Sequence, residues 1–290
     1  MAEPHCERYS ASELAEGLWK VVEDDMPYGQ FPFMYIVCGT EKVLLIDTGT
    51  GTADLFRFLR DTVPGFAGKA ILVVCTHTHF DHCGCNSLAA CCDSSGGVWK
   101  ASWCEDVCVS GAAPDFSRRA AAALPESLAP PLDGAPPSSG QRGSLAPYAI
   151  TRWLQDGEEI DLGGGRRLRV IFVPGHTPDS LALHDPASGS CFVGDLVYRW
   201  TAVFVAGPGA SAREMRGSLR KLAKALPPGT ELRCGHVDDA LDQAYLVQFG
   251  ELMDAALGGH MESQEVDLGG EQLRLFERGD LSLVCSPCLL

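Results

Sequence analysis

The stretch Thr76-His77-Thr78-His79-Phe80-Asp81-His82-Cys83-Gly84 directly follows a short apolar run, Ala70 to Cys75, and constrains the fold more sharply than any other part of the chain. The run is short and rich in β-branched residues, which reads as a buried strand. Three imidazoles and a carboxylate fall within six residues just past that strand's end. Such a cluster serves neither an apolar core nor ordinary loop solubility; these are borderline-soft donors suited to zinc. The chain therefore has to build a sheet whose strand ends deliver further donors to this loop.

Composition sets the frame for that sheet. With 290 residues, 46% of them hydrophobic, the chain can bury a sizeable core as a single domain spanning 1–290. No apolar run approaches the ~20 residues that a membrane-spanning helix needs. Met1 to Ser10 lacks the apolar segment of a secretory signal, so a cytoplasmic protein without a transmembrane segment is expected. A net charge of -15 repels phosphate backbones and argues against a nucleic-acid partner. The 13 cysteines are odd in number and irregularly spaced, which favours free thiols in a reducing compartment over a disulfide framework.

Read in order, the chain predicts strands at Leu18 to Val22, Phe33 to Cys38 and Lys42 to Gly49, the last ending in Asp47-Thr48-Gly49. That aspartate either contacts the histidine loop, fixing histidine tautomers or loop backbone, or is a plain turn signal. A helix from Thr52 to Asp61, capped by Thr52, leads to the Ala70 to Cys75 strand. After the histidine loop come a helix over Asn86 to Cys92, a strand over Val98 to Ala101 and a short helix over Trp103 to Val109. Prolines interleaved with glycine and serine mark an insertion at about 112–148 that cannot sustain helix or sheet, and that would act as a lid or a passive insert. Strands resume at Ile160 to Leu162, Leu168 to Val173, Ser180 to His184, Cys191 to Val193 and Glu231 to Cys234. Helices are expected over Ala210 to Leu226 and Leu241 to Leu257, and a small β extension over about 260–290. The two halves echo each other, which favours two similar sheets face to face with helices outside.

Each remaining donor sits where a strand stops: His176 after Leu168 to Val173, Asp195 after Cys191 to Val193, and His236 after Leu232 to Cys234. Strand ends at one sheet edge converge, so seven side chains can meet in one cleft. The set His77, His79, Asp81, His82, His176, Asp195 and His236, with Asp47-Thr48-Gly49 upstream, resembles the metallo-β-lactamase superfamily in its dinuclear hydrolase branch. That resemblance covers nearly the whole chain and implies an α/β fold, the αββα sandwich of two mixed β-sheets with helices on the outer faces. It also implies two divalent metal ions, Zn2+ first with Fe or Mn as alternatives. His77, His79 and His176 would hold the first, Asp81, His82 and His236 the second, and Asp195 would bridge. Water ionised between such ions is the expected nucleophile, with Asp81 ferrying its proton. Tyr198, three residues past Asp195, matches a tyrosine of the superfamily's N-acyl-homoserine lactonases that contacts the substrate carbonyl, and is expected to help in the same way.

A nearer likeness lies in Leu154-Gln155-Asp156-Gly157, Leu162-Gly163, Pro174-Gly175-His176, Leu183-His184-Asp185 and Gly194-Asp195-Leu196-Val197-Tyr198, which are similar to eukaryotic metallo-β-lactamase-domain acyl-CoA thioesterases. Cys85 and Asp179 depart from that pattern at positions where glycine is common. The resemblance implies a metal-dependent hydrolase of a small acyl thioester of the acyl-CoA kind. Lactones, glutathione thioesters of the glyoxalase II kind and iron-dependent persulfide oxygenation are the alternatives. Arg213, Arg216, Arg220 and Lys224 share one face of the Ala210 to Leu226 helix, a stripe that would meet anionic phosphates or simply face solvent. Cys83 and Cys85 border the metal loop, where oxidation would distort it, unless they are only small buried residues.

Overall fold

A computed structural model describes residues 8–26, 28–92, 98–123, 146–268 and 270–289. They form two compact units: the chain up to Leu154 with Ile160–Arg167, and Gln155–Glu159 with everything from Leu168 onward. No described helix is long and apolar enough to cross a membrane.

The first unit is built on β1 (Tyr9–Ala15), β2 (Leu18–Glu23), β3 (Phe33–Cys38), β4 (Lys42–Ile46), β5 (Ala70–Val74), β8 (Cys104–Ser110) and β9 (Arg152–Leu154). Its seven-stranded sheet runs β1-β2-β3-β4-β5-β8-β9. The strands pair antiparallel as far as β4 and parallel from β4 through β9. Helix α1 (Leu55–Thr62) makes the crossover between β4 and β5; α2 (Phe80–Cys83), α3 (Asn86–Ala89) and α4 (Pro114–Ala123) follow. A ribbon of β6 (Ala90–Cys92) and β7 (Val98–Lys100) stands apart from the main sheet.

The pattern of β4 explains its place. Val43 and Leu45 join the core that takes Leu55, Phe56, Phe58 and Leu59 of α1, while Leu44 and Ile46 on the opposite face are equally buried. Parallel strands covered on both faces read as continuous apolar runs. Each of the four α1 side chains contributes about 1.5–3 kcal/mol by burial. The helix is started by Asp54, whose carboxylate accepts the Arg57 N–H at 3.0 Å.

In the second unit, with the hairpin that leads into it, six strands run β10-β11-β12-β13-β15-β16. These are β10 (Glu159–Asp161), β11 (Arg167–Phe172), β12 (Leu181–Asp185), β13 (Ser190–Gly194), β15 (Glu231–Cys234) and β16 (Leu241–Asp242). The C-terminal strands β17 (Gln264–Leu268), β18 (Glu271–Arg278) and β19 (Leu281–Cys285) form the expected meander. They are joined by β14 (Ala202–Val205), parallel to β19. Helix α5 (Ala212–Ala225) buries Ala212, Met215, Ser218, Leu219 and Leu222, and helix α6 (Ala244–Leu257) buries Leu246, Phe249, Leu252 and Met253, in one core. Ser211 caps α5 by accepting the Glu214 N–H at 3.2 Å, and Pro227-Pro228 stop it.

Several local expectations are corrected. Residues 104–110 form strand β8, not a helix, because this stretch pairs in parallel between β5 and β9. Strand β1 is an addition that the sequence pattern does not predict. Thr52 does not cap α1, which begins later at Asp54. The helix expected to reach Cys92 stops at Ala89 and continues as β6, and the one expected from Leu241 begins at Ala244 after a two-residue strand. The start of the insertion does sustain a helix, α4, with Pro114 at its first position, where a missing N–H costs nothing. The proline-rich remainder, 124–145, lies outside the described residues.

Leu162 ties the β3–β4 turn down. Its carbonyl accepts the Glu41 and Lys42 N–H groups at 3.0 and 3.2 Å, and a Cβ on Gly39 would lie 2.1 Å from that oxygen. The expected outcome of Gly39→Ala is a loss of about 2–3 kcal/mol, read as a lower urea midpoint at unchanged slope. A variant as stable as wild type would show that the turn can move away from Leu162.

Candidate functional site

In the first unit the donors hang on the end of β5. Because β4 and β5 pair in parallel, with Ile46 beside Val74, both strands stop at the same edge and Asp47 stands next to the histidine loop. His79 is the residue from which α2 starts, and Asp81 and His82 ride on that single turn. The donor atoms of His77 and His79, of His77 and His82, and of Asp81 and His82 lie within 4.8 Å of each other. His77 Nε2 is 3.1 Å from His79 Nδ1, and His82 Nε2 is 3.8 Å from Asp81 Oδ2.

These side chains are aimed from behind. Asp47, at φ 61°, accepts the Thr76 N–H at 2.7 Å and the Thr76 hydroxyl at 2.8 Å. Its Oδ2 also lies 2.8 Å from His82 Nδ1. A carboxylate there fixes the tautomer that carries its proton on Nδ1 and turns Nε2 into a donor for a cation. Gly84 lets the two loops touch: its N–H donates to Gly49 O at 2.7 Å, and a Cβ would lie 2.2 Å from the Thr50 carbonyl.

The loop after Asp47 is held by two acids that sequence patterning does not single out. Glu23 is fully buried and accepts the N–H groups of Thr50 at 2.6 Å, Gly51 at 3.4 Å and Thr52 at 2.8 Å, plus the Thr52 hydroxyl at 2.6 Å. Asp25, also fully buried, accepts the Thr50 hydroxyl at 2.8 Å and the N–H groups of Gln30 and Phe31. Burial pushes the Glu23 carboxyl up from its ordinary range, against the pull of the bonds it accepts from Thr52 and Thr50. Their only signal in the sequence is an acid at the end of an apolar strand.

In the second unit β13 and β15 also pair in parallel, and the Gly235 N–H donates to Gly194 O at 2.9 Å. Asp195 and His236, each the next residue, therefore emerge side by side. Asp195 lies between two imidazoles: its Oδ2 is 3.7 Å from His176 Nε2 and its Oδ1 is 3.6 Å from His236 Nε2. His176 Nδ1 donates to Phe204 O at 2.6 Å; a carbonyl only accepts, so this proton leaves Nε2 as a donor for a cation. Gly175 makes that loop possible, since at φ 145° its missing Cβ would lie 2.3 Å from Met215 Cα on α5. Tyr198 is buried, with its ring 6.1 Å from that of His236 and edge-on to it.

The donor chemistry fits divalent cations. Two ligands of a tetrahedral ion with bonds of 2.0–2.1 Å stand about 3.3 Å apart. The 3.1 Å separation of His77 from His79 is close to that. The imidazole–carboxylate separations of 3.6–3.8 Å are too long for hydrogen bonds but suit neighbours around a shared ion.

The sequence profile of the metallo-beta-lactamase superfamily matches residues 28–90 and 102–236. The chain belongs to that superfamily. It is 31% identical to the acyl-coenzyme A thioesterase MBLAC2 of Gallus gallus over 207 residues, 66% of this chain and 67% of the relative. A hydroxyacylglutathione hydrolase of Synechococcus sp. (strain JA-3-3Ab) is 35% identical over 103 residues, 34% of this chain and 37% of the relative. Among solved structures, a metallo-beta-lactamase family protein from Thermus thermophilus superposes with a TM-score of 0.62 at 22% identity, covering 85% of this chain and 82% of that one. The mixed sheets and helices expected of the fold are those found, and this superfamily member is a hydrolase.

Other expectations resolve locally. In the basic stripe of α5, Arg216 and Arg220 both pair with Asp254, at 3.2 and 2.6 Å. Those two guanidiniums are engaged within the unit; Arg213 and Lys224 are exposed. Cys83 and Cys85 are fully buried in the core of the first unit, and burial pushes the Cys83 thiol well up. That favours the packing role over a reactive one. The eleven cysteines whose side chains are described are all free thiols.

Glu23→Gln tests the brace. The variant places an amide N–H where only acceptors fit, so a loss of about 1–3 kcal/mol is expected in urea unfolding. With its pKa raised, native Glu23 holds its proton more tightly than the unfolded chain does. Its contribution is thus fully present below the ordinary glutamate range and is lost as pH rises through the elevated value. The gap between wild type and variant should shrink from pH 4.5 to 7.5; a gap that widens would contradict this account.

Proposed function

We propose that the chain is a metal-dependent acyl thioesterase whose two units act as one hydrolase domain. His77, His79 and His176 would hold one divalent cation and Asp81, His82 and His236 a second, with Asp195 shared between them. Zinc is the ion that this mixture of imidazole and carboxylate donors favours, ahead of iron or manganese. When bound, such a pair supplies Lewis acidity and lowers the pKa of water to about 7.

The chain's own residues do the remaining work. Asp47 and the Phe204 carbonyl hold His82 and His176 in the tautomers a cation needs. Asp81 accepts the proton of the attacking water and passes it on as the carbonyl adduct collapses. Tyr198 steadies the substrate carbonyl. A thiolate leaves without full protonation, so no strong acid is required on the leaving side. The observation that carries this reading is the set of imidazole–carboxylate separations of 3.6–3.8 Å, which suit neighbours around a shared ion and are too long for hydrogen bonds. The similarity to an acyl-coenzyme A thioesterase points to the substrate class. A glutathione thioester is the second reading, favoured by the match to a hydroxyacylglutathione hydrolase.

Elemental analysis should find close to two divalent ions per chain. In a panel of acyl-CoA, lactone and S-lactoylglutathione substrates, acyl-CoA should be turned over best, and Asp195→Ala should lower that turnover at least a hundredfold. Undiminished activity in Asp195→Ala, or after thorough chelation, would overturn the proposal. Asp47→Asn leaves every cation donor in place, so it should weaken metal affinity about 10–100-fold in competition with a chelator. Unchanged affinity would show that Asp47 does not aim His82.

A further inference from the structure

The loops that carry Tyr198 and His236 also carry two exposed apolar side chains in an unusual backbone conformation. Trp200 is 72% exposed at φ 64°, and Val237 is 47% exposed at φ 61°. A positive φ is uncommon outside glycine, and in a β-branched or bulky residue it is an outlier. Neither residue drifts into it for want of restraint. The Asp238 N–H donates to His236 O at 2.6 Å, closing a tight turn around Val237, the rarer and strained form of γ-turn. The Trp200 N–H donates to Asp280 O at 2.8 Å, and Tyr245 donates to the Asp280 carboxylate at 2.8 Å.

A clamp joins the two loops between these positions. Asp238 accepts the Arg199 backbone N–H at 2.8 Å and its side chain at 3.1 and 2.6 Å. Tyr198 and His236 form an inner rung, Arg199 and Asp238 a second, and Trp200 and Val237 project outward beside it. Phe204, whose carbonyl holds His176, is 38% exposed as well. Strain of this kind clusters at binding sites, and here it coincides with exposed apolar side chains on the very loops that carry Tyr198 and His236. The Arg199 charge is neutralised by Asp238, so this rim offers apolar surface and not a counter-charge for phosphates.

We propose that Trp200 and Val237 form the platform on which the aliphatic chain of an acyl substrate lies, and that they set the chain-length preference of the enzyme. This rests on the thioesterase reading above for its substrate, and on the geometry of the second unit for its place. Each added methylene laid on the platform leaves water and strengthens binding, so long chains gain and short ones do not reach.

The test compares kcat/KM for butyryl-, octanoyl- and palmitoyl-CoA in wild type, Trp200→Ala and Val237→Gly. The ratio of palmitoyl- to butyryl-CoA should fall at least tenfold in Trp200→Ala and at least threefold in Val237→Gly. Glycine suits φ 61°, so Val237→Gly should melt at or above the wild-type temperature; a selectivity loss without a stability loss separates contact from misfolding. Ratios within twofold of wild type in both variants would overturn the proposal. Tryptophan emission read on adding sodium dodecanoate below its micelle concentration, in wild type and Trp200→Phe, is independent of turnover. If wild type hydrolyses none of the three thioesters yet shows a shift that Trp200→Phe lacks, the platform stands and only the thioesterase reading falls. If no shift depends on Trp200, the platform falls whatever is hydrolysed.

Discussion

A backbone contact too close for a methyl group fixes the chemistry of the first unit. Gly84 lies against Gly49 and Thr50, and around it the buried carboxylates of Asp47, Glu23 and Asp25 absorb the polar groups of both loops. A buried carboxylate is tolerated only where donors surround it. Here the donors are the N–H and hydroxyl groups of the loops being held, so neither loop can relax without stranding buried hydrogen-bonding groups. The rigidity of the histidine cluster is the other face of that electrostatic constraint.

Topology then repeats one device in each unit. Parallel neighbours end at the same sheet edge, so the residues just past β4 and β5, and just past β13 and β15, become neighbours without any special loop. Asp47 thereby reaches His82, and Asp195 stands beside His236. The groups that orient the imidazoles are unlike one another: a carboxylate for His82 and a backbone carbonyl for His176. What they share is acceptor character at Nδ1, which is all that the tautomer requires.

How much of this the sequence discloses depends on how local each cause is. The donors at the ends of β5, β11, β13 and β15 are legible because an apolar run followed by His or Asp is a contiguous signal. Strand β8 is not: Cys104, Val107 and Cys108 recur at helical spacing, and only the parallel partners on either side decide for a strand. Strand β1, with the pattern Tyr-Ser-Ala-Ser-Glu-Leu-Ala, is half-exposed and is held by pairing with β2, so its own composition says little. Thr52 reads as a cap because its competing partner, Glu23, is 29 residues away. Braces such as Glu23 on Thr50, or Arg199 on Asp238, join residues far apart in sequence, and no local pattern announces them.

The distribution of cations bears on what the protein recognises. In a chain of net charge -15, several of the positive side chains that could meet an anionic ligand are engaged internally. Asp254 takes Arg216 and Arg220, Asp156 takes Lys221, and Asp238 takes Arg199. In the second unit each of these pairs joins elements of the fold: α5 to α6, α5 to the loop before β10, or one loop to another. Of the exposed bulky apolar side chains described there, Trp200, Val237 and Phe204 lie on the segments that carry Tyr198, His236 and the acceptor for His176, while Val247 and Leu268 lie on α6 and β17. On the proposed platform, selection would work through apolar area and shape, terms that scale with the length of an aliphatic chain and that salt does little to screen.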